Sequence, residues 1–92
     1  MTYNTTRFLT EATLLYDGQL SLIDAAETVK ECEEYTAQAF GIVLTLRTFA
    51  NCLSDQDQID DIYDLMARWE EQIQRQYIDR LEELGADAEQ EP

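Results

Sequence analysis

Histidine is absent from all 92 residues. That removes general acid–base catalysis by imidazole, Ser-His-Asp and Cys-His nucleophile systems, and most zinc sites. It also removes di-iron sites of the Glu-x-x-His kind. Glycine occurs at 18, 41 and 85 only, and proline at 92 only. An all-β domain needs more turn residues than that. Cationic residues number six against twenty acids. A chain so poor in Lys and Arg repels DNA, RNA and anionic membrane surfaces, and attracts basic ones. Long apolar runs are missing too. The longest, Ala39 to Leu44, is far too short to span a bilayer. Two cysteines, Cys32 and Cys52, and a start with no basic lead into an apolar block imply a cytoplasmic chain with reduced thiols.

What remains is rich in Ala, Leu, Glu, Gln and Arg, which are good helix formers. The expected class is all-α. The net charge of −14 is uneven. Residues 1–54 hold seven acids against Arg7, Lys30 and Arg47, and residues 55–92 hold thirteen against Arg68, Arg75 and Arg80. Self-repulsion follows, and salt should relieve it.

Apolar positions set out three helices. In "NTTRFLTEATLLY" they fall at 8, 9, 12, 15 and 16, an amphipathic helix of about three turns. Asp17-Gly18 then reads as a loop. It could instead be a hairpin turn, but Ser21 and Asp24 form a capping-box-like pair, and Leu20 and Ala25 a weak staple. Leu22, Ala25, Val29, Cys32, Thr36, Ala39, Val43, Leu46, Ala50 and Leu53 follow in steps of three and four. That predicts one long helix from Ser21 with an a/d seam over four heptads. Phe40, Leu44 and Phe49 widen its apolar face. Gly41 marks a kink or a close approach, and "GIVLTLRTF" has the residue types of a strand. The unchanged phase of the seam favours helix.

Ser54 is expected to cap a last helix of about thirty residues, some 45 Å long. Gly85 should stop it. Its stripe is Ile59, Ile62, Met66, Trp69, Ile73, Tyr77, Leu81 and Leu84. A very short connection makes the two long helices fold back as an antiparallel hairpin. The domain is expected to cover 1–85, with 86–92 an acidic, disordered tail. A short first helix cannot cover so long a seam, so a homodimer completing the bundle is expected.

Two chemistries fail on their residues, and a third fits them poorly. A DNA-reading helix needs Arg, Lys, Asn or Gln towards the groove, whereas Asp24, Glu27, Glu31, Glu33 and Glu34 surround Lys30. A calcium loop needs a ligand at its fifth position and Gly at its sixth. Counted from Asp55, those are Ile59 and Asp60. All-helical nucleotide pyrophosphohydrolases carry Glu-x-x-Glu and, later, Glu-x-x-Asp for Mg²⁺. Glu31-x-x-Glu34 and Asp61-x-x-Asp64 are similar, but the third carboxylate is Asp and no cationic set for phosphate accompanies them. No enzyme, metal or cofactor is expected.

The charge itself is the better lead. Glu71–Arg75, Asp64–Arg68 and Arg75–Asp79 are expected i,i+4 pairs. Asp55, Asp57, Asp60, Asp61 and Asp64 are left uncompensated, with Glu27, Glu31 and Glu34 as a second row. These eight form the candidate protein-binding surface, for a partner with a basic face.

"LRTFANCLSDQDQ", Leu46 to Gln58, resembles the "LRSF…S-x-Q/E" stretch of the small phycobilisome-degradation proteins. That resemblance implies paired helices in a dimeric four-helix bundle acting as a proteolysis adaptor. In size, charge and helicity the chain is also similar to small acidic phage-encoded inhibitors, the anti-CRISPR and DNA-mimic kind. That resemblance implies docking of carboxylates on a cleft built for nucleic acid. It is the preferred expectation, with the adaptor second and the pyrophosphohydrolase last.

Overall fold

A computed structural model describes residues 5–85. They form three α-helices: α1 over Thr5–Ala25, α2 over Val29–Asn51 and α3 over Gln56–Glu83. Among the described residues there is no strand, and "GIVLTLRTF" lies wholly inside α2. Residues 86–92, expected to be a tail, lie outside the described residues.

The first helix differs most from expectation. It is 21 residues long and runs straight through Asp17-Gly18. Ala12, Tyr16, Leu20 and Ile23 are all buried, and their steps of four, four and three place them on one face. Burying Leu20 and Ile23 in phase with Tyr16 is worth several kcal/mol. A mid-helix glycine costs about 1 kcal/mol, so the helix wins over the turn. Ser21 is therefore no cap. Its hydroxyl donates to the Asp17 carbonyl one turn back, at 3.2 Å.

The corner comes later, at Ala26 to Thr28. Thr28 caps α2: its hydroxyl accepts the Glu31 N–H at 3.1 Å. The Glu31 carboxylate in turn accepts the Glu27 N–H at 3.0 Å. This Thr28-x-x-Glu31 arrangement is a capping box, displaced by one residue at its return bond. The seam consequently starts in α2. Leu22 is 42% exposed and Ala25 is exposed, because both lie on the outer side of α1. Leu15, expected on the buried stripe, is 66% exposed for the same reason.

Within α2 the seam holds. Cys32, Thr36, Ala39, Val43, Leu46 and Ala50 are at most 7% exposed. Phe40 and Phe49 pack half-buried on either side of it. Leu44, grouped with them by sequence, is 58% exposed. Leu53 lies beyond the helix end and is half-buried.

Asp55, not Ser54, caps α3. One carboxylate oxygen accepts the N–H of Asp57 at 2.9 Å and of Gln58 at 3.4 Å. A carboxylate at this position also meets the positive end of the helix dipole. At the other end Leu84 closes the helix and Gly85 turns left-handed at φ 73°, as its place after the last apolar residue led one to expect.

Side-chain ties fix how the helices lie. Phe8 near the start of α1 stacks on Phe49 near the end of α2, with centroids 3.9 Å apart. Tyr16 stacks on Trp69 of α3 at 4.0 Å, and its hydroxyl donates to Gln72 Oε1 at 2.8 Å. Gln76 Nε2 donates to the Leu20 carbonyl at 3.2 Å. Asn51 Oδ1 meets the Tyr63 hydroxyl at 3.4 Å. One chain thus covers its own seam, α1 on one flank and α3 on the other. A 21-residue α1 removes the argument for a second copy drawn from an uncovered seam.

Candidate acidic docking surface

Four carboxylates share one face of α3. Asp57, Asp60, Asp61 and Asp64 follow the i, i+3, i+4, i+7 spacing that aligns side chains along a helix. All four are exposed, while Ile62 and Met66 on the opposite face are buried. The local cause is the amphipathic period: the core takes every third or fourth residue, and the acids fill what is left. Asp60 accepts a hydrogen bond from Gln56 Nε2 at 2.9 Å. Asp57, Asp61 and Asp64 enter none of the three salt bridges among the described residues, which are Arg7–Glu11, Glu71–Arg75 and Arg80–Glu83. The expected pairs Asp64–Arg68 and Arg75–Asp79 are not formed; Arg75 turns to Glu71 at 2.9 Å instead.

The other four residues of the candidate surface behave differently. Asp55 is held by its capping bonds, and Glu31 by its bond to the Glu27 N–H. Glu27 and Glu34 are exposed. Glu27, Glu31 and Glu34 sit at the start of α2, beside the C-terminal part of α3 that reaches Ala26 through Arg80. The aspartates sit in the first turns of α3, where Tyr63 reaches Asn51 at the other end of α2. The 23 residues of α2 span about 34 Å; Glu27 and Asp57 stand near its two ends, while Glu34 and Asp64, each further in, lie closer together. The eight carboxylates therefore form two acidic ends rather than one surface.

That separation also bears on the carboxylates that resemble a magnesium set. Glu31 and Glu34 lie at one end, Asp61 and Asp64 at the other. Among the described residues no three of the groups His, Cys, Asp and Glu gather as a metal would need.

Two titratable groups of the interior, Cys32 and Tyr77, lie near the α1–α2 corner. Burial pushes the Cys32 thiol up, offset in part by the Thr36 hydroxyl and the Arg80 charge. Burial also pushes the Tyr77 phenol up, with Glu33 adding to it. Cys52 is exposed at the far end of α2. Two further features escaped the sequence. Leu14, Leu15 and Leu22 stand out from α1, and a cleft opens between the starts of α1 and α3. The cleft has no linear signal, since it depends on how α1 lies against α3, and Leu22 stands out because α1 runs on to Ala25.

No helix among the described residues is long and apolar enough to cross a membrane. Comparison with protein-family models, with curated proteins and with solved structures finds no match.

Proposed function

We propose that this chain is a non-enzymatic, acidic protein-binding module that works in the cytoplasm. Its α3 face of Asp57, Asp60, Asp61 and Asp64 docks on a basic, nucleic-acid-binding surface of a target protein and blocks it. This is the mode of small acidic phage-encoded anti-defence proteins, the anti-CRISPR kind among them. The observation that carries the reading is the row of exposed carboxylates without an ion-pair partner among the described residues, in a chain of net charge −14. Neighbours on such a row are about 5–6 Å apart, a spacing workable against groups that otherwise hold phosphates. An antiparallel α2–α3 hairpin keeps the row straight. Charge of this kind acts chiefly on encounter and specificity.

The test is a pull-down from cell lysate at low and moderate salt, with the captured protein then titrated against variants. Changing Asp57, Asp61 and Asp64 together to Lys should abolish binding while circular dichroism stays helical. Binding that ignores both salt and this triple change defeats the reading.

A structural or adaptor role is the second reading, and one observation favours it. Leu14 and Leu15 are 68% and 66% exposed on the outer side of α1. The α2 seam is internal, so an apolar contact would use this face, and a homodimer is its simplest form. Light scattering over a dilution series separates the two: a monomer at every concentration ends the dimer.

A further inference from the structure

Between the starts of α1 and α3 lies a cleft of about 230 Å³. Leu9, Ile62 and Leu65 supply its apolar part, and Ile62 is only 1% exposed. Thr5, Thr6, Gln58 and Asp61 stand around it. None of these four side chains makes a hydrogen bond or ion pair among the described residues. Asp61 belongs to the unpaired aspartate row, so the cleft opens within the most negative part of α3.

An apolar channel with one carboxylate and several neutral oxygens at its rim suits one kind of side chain. A lysine buries its four-carbon stem along apolar surface and keeps its ammonium at the edge. The ammonium offers three donors and no acceptor. Asp61 can take one with its charge, and the Thr hydroxyls and the Gln58 amide oxygen can take the others. A carboxylate-bearing side chain would meet Asp61 and its neighbours as like charges.

We propose that this cleft receives a lysine side chain of the basic protein that docks on α3. The proposal rests on the docking reading above and gives it a register: one lysine enters the cleft, and its neighbours meet Asp57 and Asp64. Contact therefore extends past α3 onto Thr5, Thr6 and Leu9 of α1.

The test uses the full chain and a lysine-rich peptide as probe, with binding followed by amide NMR shifts at low salt. Shifts are expected at Leu9, Asp61 and Leu65. Asp61→Asn should weaken binding about fivefold, the effect of one well-placed exposed charge pair. Asp79→Asn removes the same charge further along α3 and should change binding by less than about twofold. Thr6→Trp, at an exposed position, fills the cleft without altering charge and should weaken binding as Asp61→Asn does. Equal effects of Asp61→Asn and Asp79→Asn, or unchanged binding by Thr6→Trp, overturn the cleft and leave charge-driven docking standing. Absence of any salt-sensitive peptide binding overturns the docking reading and the cleft with it.

Discussion

The Arg80 guanidinium grips the Ala26 carbonyl with two donors, Nε at 2.8 Å and Nη2 at 2.6 Å. Ala26 closes the corner after α1, where a carbonyl has no helical partner. Arg80 comes from the last turn of α3, and Nη1 also reaches Glu83 at 3.2 Å. One side chain of α3 thus ties that helix to the α1–α2 connection. Arg80→Met should keep the aliphatic packing but lose both bonds, costing about 2 kcal/mol. Arg80→Lys should recover little of this, because an ammonium lacks the planar fork. Urea denaturation midpoints measure both. A midpoint for Arg80→Met equal to that of the parent protein refutes the tie.

Tyr16 carries a pH dependence with a definite sign. Burial, aided by the charge of Asp17, pushes its phenol up to about 12 from the ordinary 10.0. The folded chain keeps this proton across that interval while the unfolded chain gives it up. Its contribution to stability is whole below pH 10 and is lost as pH rises towards 12. Tyr16→Phe should cost about 1 kcal/mol at neutral pH, through the lost bond to Gln72. The variant's stability should then fall less steeply than the parent's between pH 10 and 12. Parallel stability curves across that window would contradict the assignment.

Gly18 and Gly41 sit inside exposed helix, and a Cβ at either would meet nothing within 4 Å. Neither has a positive φ. Gly18→Ala and Gly41→Ala should each stabilise the chain by about 0.7 kcal/mol by restricting the unfolded state. Thermal melts of the single and double variants check this, and additivity is expected since the sites are on different helices.

Thr28→Ala should cost about 1 kcal/mol through the lost cap. Ser21→Ala and Ser54→Ala, at the two residues the sequence offers as caps, should cost no more than about 0.5 kcal/mol. Hydrogen exchange of the Glu31 amide is the sharper readout. It should quicken in Thr28→Ala and stay unchanged in the two serine variants.

The fold was legible wherever periodicity was long. Seven of the ten positions in phase, Val29 to Ala50, lie in α2, while Leu22 and Ala25 belong to α1 and Leu53 lies past the helix end; eight positions marked α3, down to Gly85 as its stop. Corners were less legible, because Ser21-x-x-Asp24 and Thr28-x-x-Glu31 both look like caps. Tertiary burial of Leu20 and Ile23 decided between them, and no local rule contains that information. The same cause hid the true length of α1 and made a second copy look necessary. For the candidate surface, residue type was legible and placement was not. The aspartates of α3 share a face because they share one helix. Glu27, Glu31 and Glu34 belong to the opposite end of α2 from Asp57, a separation that charge counting ignores. Capping claims Asp55 and Glu31, and cap assignments depend on helix starts.

Trp69 is the chain's single tryptophan, lies 6% exposed and rests flat on Tyr16 of α1 with an interplanar angle of 3°. The molecule therefore carries its own optical gauge. Lifting α1 away would strip one aromatic wall from the indole and wet it, while an α3 still paired with α2 would leave its backbone helical. Emission wavelength and far-ultraviolet ellipticity report these two events separately. A partner that prises α1 loose would announce itself as a red shift without loss of helix, in the unlabelled protein.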